Sequence, residues 1–99
     1  MNPSMFFAPD GLLAKNKADF SVRPGQVEFS EMVLNAIKAQ TAVLAEAPTG
    51  FGKSLSVLIP AIIAAQEGRR TVISTETIAL QDQYVLKDLP FLQQVCKEI

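Results

Sequence analysis

Residues 47–54 read Ala47-Pro48-Thr49-Gly50-Phe51-Gly52-Lys53-Ser54, and their types and spacing suit one task, the holding of a phosphate chain. A run of backbone N–H groups can wrap phosphate oxygens only where residues lack bulk and tolerate positive φ, which Gly50 and Gly52 provide. Lys53 offers a point charge for the β- and γ-phosphates, and the Ser54 hydroxyl a ligand for Mg²⁺. A helix opening at about Lys53 would aim its N-terminal dipole at the same anion. The pattern is a Walker A phosphate loop, with Ala47 where the strict form has glycine. Gly50 to Ser54, which carry the chemistry, are intact. The bland reading is a glycine-rich strand-to-helix turn that binds nothing. The flanks argue against it: 41–45 read as a short buried strand, and Leu55, Val57, Leu58, Ile59, Ile62 and Ile63 as a buried helix. Strand, loop, helix is the setting the motif requires.

The elements that must position this loop come from a chain of 99 residues, 48% hydrophobic and 19% charged, which bounds it to at most one globular, soluble domain. The net charge of -1 leaves no bulk basic field, so any nucleic-acid contact must come from a local groove. Histidine is absent, which removes His-based acid–base catalysis, Ser-His-Asp triads and His metal sites. Cys96 is the sole cysteine, so neither an intramolecular disulfide nor a CxxC metal clip can form, and a reducing cytoplasm fits. The longest apolar run, near 55–65, is broken by Ser56 and Pro60 and is too short to span a bilayer; no membrane role is expected. The N-terminus lacks the basic start of a signal peptide.

Along the chain, 1–22 read as an irregular segment broken by Pro3, Pro9 and Gly11, with one helical turn near Leu12–Lys15. Phe29, Met32, Val33, Ala36 and Ile37 predict a helix over about 25–39 with one apolar face. A first strand is expected at about 42–46, then the loop, then a helix to about Gln66 with Pro60 inside it. Gly68 is a plausible helix stop. A second strand is expected at 71–74, a helical segment at about 77–87 and a short last helix after Pro90. The expected fold is therefore α/β: one βαβ unit with parallel strands and a right-handed crossover, flanked by helices. Two parallel strands make an incomplete sheet, so the expectation is the opening part of a larger lobe, with a small free-standing domain as the alternative.

Several stretches together resemble the DinG/YoaA-type, XPD-like DNA helicases of superfamily two. Glu46-Ala47-Pro48-Thr49-Gly50-Phe51-Gly52-Lys53-Ser54-Leu55-Ser56 is similar to their motif I. Residues 7–15 are similar to the segment that opens this branch, and Arg23-Pro24-Gly25-Gln26 to its Q motif. Residues 73–83, with Leu80-Gln81-Asp82-Gln83, and then Lys87-Asp88-Leu89-Pro90 are similar to the motif Ia region. The resemblance covers nearly the whole chain and implies a partial RecA-like P-loop lobe over 23–99, ending before motif II. It implies ATP and Mg²⁺ as cofactors, held by Arg23, Gln26 and 47–54, with Lys53 and Ser54 in the catalytic role. Gln26 would read adenine, since a carboxamide donates to and accepts from the N6/N7 edge together. Phe7 or Phe20 would stack on the base, unless each is a core residue. Ser74, Thr75 and Gln81 would meet single-stranded DNA, against the alternative of a helix N-cap by Thr75 or Thr77.

The same resemblance shows what 1–99 lack. There is no DEAH-like motif II, and no second lobe with its arginine finger. The family's iron–sulfur cluster needs four cysteines, and this chain has no ligand set for one. Phe51 stands where a small or branched residue is usual, and Glu76 does not occupy the place of the Walker B acid. The expectation is an ATP-binding segment of an ATP-dependent, 5′-to-3′ DNA helicase of the repair or replication type, holding nucleotide without turning it over. The alternative is a naturally truncated, non-catalytic nucleotide-binding or interaction module. Oligomeric state is not legible.

Overall fold

The computed structural model describes residues 2–17, 20–23, 25–46 and 53–97, apart from the Lys53 side chain. Two helices of equal length carry the frame. Helix α3 (Gln26–Ala39) starts behind Gly25, whose φ of 82° sits in the left-handed region. Its buried residues are Gln26, Ser30 and Leu34, spaced four apart and so on one stripe. That stripe is more polar than the apolar spacing predicts, and Met32 of the predicted apolar face is exposed.

Helix α4 (Lys53–Gln66) explains why. Ser56, Ile59, Pro60, Ile63 and Ala64 are buried, which is the i, i+3, i+4, i+7, i+8 pattern of a core-facing helix. Pro60 has no N–H, so the Ser56 carbonyl loses its i+4 donor. The Ser30 hydroxyl of α3 donates to that carbonyl at 2.8 Å, in a buried bond between the helices. A polar residue on the α3 stripe thus repairs a defect that proline makes in α4.

The remaining helices close the core. Helices α1 (Ser4–Phe7) and α2 (Leu12–Asn16) bring Phe6, Phe7 and Leu13, each at most 1% exposed. Gly11 sits at their junction, where a Cβ would lie 2.7 Å from the Met5 carbonyl oxygen. Helix α5 (Ile78–Gln83) starts at Thr77, whose Oγ1 accepts from the Leu80 N–H at 3.1 Å. A π turn over Tyr84–Asp88 leads into α6 (Leu89–Cys96), which packs against α2 through a face carrying Leu92 and Val95. The radius of gyration, 13.0 Å, is what a compact domain of about 100 residues gives, at roughly 13 Å.

The predicted α/β architecture, a partial RecA-like lobe with parallel strands, is overturned. No strand occurs among the described residues. Residues 42–46 and 71–74 run as exposed, irregular chain, with Leu44 fully exposed and Val72 at 84%. A lone parallel pair would offer few ladder bonds, leave both edges open and pay closure entropy over a long crossover. Helices satisfy their backbone locally, and the α3–α4 seam buries apolar surface without a sheet. The periodic segments formed the predicted helices; the two segments expected as strands found no ladder.

Candidate functional site

Around the start of α4, three stretches of chain converge on one cavity of about 590 Å³. The α2–α3 connection brings Lys17, Phe20 and Arg23; α3 brings Gln26; α4 brings Leu55. The π turn and α6 bring Lys87, Asp88 and Phe91. Lys17, Arg23 and Lys87 outnumber Asp88, so the wall favours an anion. Helix α4 has no acidic residue in its first turn, which leaves its positive end unopposed by a side chain of that turn.

Gln26 is 1% exposed, and its Oε1 accepts from the Arg23 N–H at 3.2 Å. The Gln26 N–H in turn donates to the Arg23 carbonyl at 3.1 Å. Arg23 and Gln26 are therefore locked together by the turn at Gly25. Of the two aromatic candidates, Phe20 lines the cavity, whereas Phe7 packs in the core at 1% exposure.

Ser54 lies half-buried in the first turn of α4. Its Oγ accepts from Gln83 Nε2 at 3.2 Å, and the same Nε2 donates to Asp88 Oδ2 at 3.4 Å. Burial pushes the Asp88 carboxyl up; hydrogen bonds from Gln83 and Ser54 and the Lys87 charge pull it back. Gln83 and Asp88 are five apart, which puts them on different sides of an ordinary α-helix. In the π turn the Leu89 N–H reaches the Tyr84 carbonyl five residues back, and the two side chains converge. Pro90, next in the chain, cannot donate to the Leu86 carbonyl, which favours the local change of register.

Ala47, Pro48, Thr49, Gly50, Phe51 and Gly52 lie outside the described residues, and of Lys53 only the backbone, opening α4, is described. The donor set that is described fits a nucleotide. It combines a basic wall, an aromatic face at Phe20, a buried carboxamide and a hydroxyl at a helix N-terminus.

The residues expected at DNA lie elsewhere. Thr75 and Gln81 line an apolar groove of about 660 Å³ between α4 and α5, along with Leu58, Ile73 and Tyr84. Ser74 is exposed beside them. Thr75 Oγ1 donates to the Thr77 carbonyl at 3.1 Å, while Thr77 caps α5. Sequence reasoning missed Lys17, Gln83, Lys87 and Asp88 as neighbours of the site. The signal for the last three was the Leu80–Gln83 and Lys87–Pro90 pair of motifs, which brackets the π turn.

The DEAD/DEAH box helicase family matches residues 26–96. The ATP-dependent DNA helicase YoaA of Escherichia coli K12 is 40% identical over 91 residues, 92% of this chain and 14% of that protein. The ATP-dependent DNA helicases DinG of Escherichia coli K12 and of Salmonella typhimurium are each 53% identical over 55 residues, 54% of this chain and 8% of theirs. The chain thus spans 14% or less of the length of these relatives. No solved structure matches it.

Proposed function

The chain belongs to the DEAD/DEAH box helicase family, and we propose that it is the ATP-binding segment of an ATP-dependent DNA helicase acting 5′-to-3′ in repair or replication in the cytoplasm. The observation that carries the reading is the single cavity that joins Arg23 and Gln26 to the opening of α4. The relatives are named as ATP-dependent DNA helicases, which supports ATP and DNA as the partners.

On this reading each residue has a role. Residues 47–52 are the phosphate loop, and Lys53 meets the β- and γ-phosphates. Ser54 is the protein's ligand to Mg²⁺, which when bound neutralises developing phosphate charge. Lys17, Arg23 and Lys87 add positive field on the cavity wall. Gln26 reads the base edge, held in one orientation by the Arg23 N–H. Phe20 gives the base a flat apolar surface. Thr75 and Gln81 in the groove beside α5, with Ser74 next in the chain, hold single-stranded DNA.

These groups bind and orient; none of them positions an attacking water. Phosphoryl transfer needs several parts in place at once, so binding without appreciable turnover is the expected behaviour. A fluorescent ATP analogue titrated with Mg²⁺ against the purified chain tests this. Weak binding that Lys53→Ala abolishes supports the reading, and equal binding by Lys53→Ala removes it. Fast DNA-stimulated hydrolysis by the 99-residue chain contradicts the proposed lack of turnover.

A further inference from the structure

The Ser54 hydroxyl gives its proton to the Asp88 carboxylate, and its oxygen lone pairs have two claims on them. One is Mg²⁺, on the functional reading above, on which this inference rests. The other is visible in the structure: Gln83 Nε2 donates to Ser54 Oγ at 3.2 Å and reaches Asp88 Oδ2 at 3.4 Å. Gln83 is the last residue of α5, and Asp88 closes the π turn that follows. One carboxamide thus bridges the first turn of α4 and the far side of the π turn.

We propose that Gln83 is a positioning residue that holds the Ser54 hydroxyl and must let it go before a Mg²⁺-bound nucleotide can use that oxygen. A carboxamide NH₂ presents its positive hydrogens to the oxygen, and a divalent cation seeks the same electron density. Crowded onto one hydroxyl, the two repel. Nucleotide without the metal makes no demand on Ser54 Oγ, so the competition acts only on the metal-bound form. The π turn makes this possible, because it delivers Asp88 to the same carboxamide. Asp88 gives the released NH₂ group a second acceptor without any helix having to unfold. The contact is therefore a latch between α4 and α5, set by one side chain.

The test measures binding of a fluorescent ATP analogue to the full 99-residue chain, with Mg²⁺ and with EDTA. Gln83 is exposed, so Gln83→Leu and Gln83→Ala should fold as the wild type does, checked by circular dichroism. Both should tighten binding about fivefold with Mg²⁺, the worth of roughly one hydrogen bond, and leave it unchanged in EDTA. In a Ser54→Ala background the Gln83 substitutions should have no effect, since the contested oxygen is gone. If wild type binds but Gln83→Leu changes nothing with Mg²⁺, or tightens binding equally in EDTA, the latch is wrong and the nucleotide site stands. If wild type and Lys53→Ala show no binding at all, the functional reading falls and takes the latch with it.

Discussion

Helix α4 has two apolar sides, and they meet different fates. Toward α3 it buries Ser56, Ile59, Pro60, Ile63 and Ala64 in a closed seam. Toward α5 it lines, through Leu58, Ala61 and Ile62, a groove of about 660 Å³ that stays open. Composition does not separate them, since Ile73, Tyr84, Val85 and Leu89 make the far wall of the groove as apolar as the seam. The seam closes because α3 is a long helix with a small residue, Ser30, at the point of closest need. The groove's far wall is irregular chain at 69–75 and the helical stretch of α5, the π turn and α6, whose register breaks at Tyr84–Asp88. Apolar content says that a residue gains from burial; only a regular partner at packing distance delivers it.

The widest test compares a residue of the closed core with one on the irregular chain beside the groove. Phe6 is fully buried, and Phe6→Ala should cost ~3–5 kcal/mol, lost transfer energy and cavity together. That is much of the ~5–15 kcal/mol available to a typical domain, so the variant should be largely unfolded at modest urea. Val72 is 84% exposed, and Val72→Ala should stay within ~0.5 kcal/mol of wild type. Urea midpoints followed by circular dichroism decide it. A Val72→Ala loss comparable to that of Phe6→Ala would mean that 71–74 pack in solution and that the contrast is false.

The sequence was legible where its signals were local. Apolar periodicity placed the helices now seen at Gln26–Ala39 and Lys53–Gln66, with Gly68 as the stop after α4. It misread 42–46 and 71–74, because a β pattern states a preference whose fulfilment depends on partners far along the chain. The π turn was invisible, since it reflects Pro90 acting on a carbonyl four residues back. The polar stripe of α3 was equally hidden, because Ser30 answers a defect 30 residues away, at Pro60. At the candidate site, the phosphate-loop pattern singled out Ser54, and only the family resemblance singled out Gln26. Lys17 carries no local signature, and only the fold brings it near.

The next test sharpens the closed side. If Ser30 serves the carbonyl that Pro60 deprives of its helical donor, Ser30→Ala should cost ~1–3 kcal/mol, the range for removing one partner of a buried hydrogen bond. Pro60→Ala restores an N–H within α4 and makes the Ser30 hydroxyl redundant. In that background Ser30→Ala should cost far less. A double-mutant cycle therefore separates this account from simple loss of packing, in which the two costs would be nearly equal.

The smallest effect probes the border between the two sides, at the end of α4. Gly68 has a φ of 85°, and its neighbours make the bonds of a left-handed helix stop. The Arg69 N–H donates to the Ala64 carbonyl and the Gly68 N–H to the Ala65 carbonyl, each at 3.0 Å. A Cβ at Gly68 would meet nothing within 4 Å, so sterics with the rest of the fold cannot penalise it. The cost of Gly68→Ala is then backbone strain alone, ~1–2 kcal/mol. Gly68→Asn should recover part of that, because asparagine tolerates the left-handed region better than alanine. If Gly68→Ala is neutral, the chain at 67–70 takes another path off α4. The groove wall that begins at Gly68 and Arg69 would then be free to close.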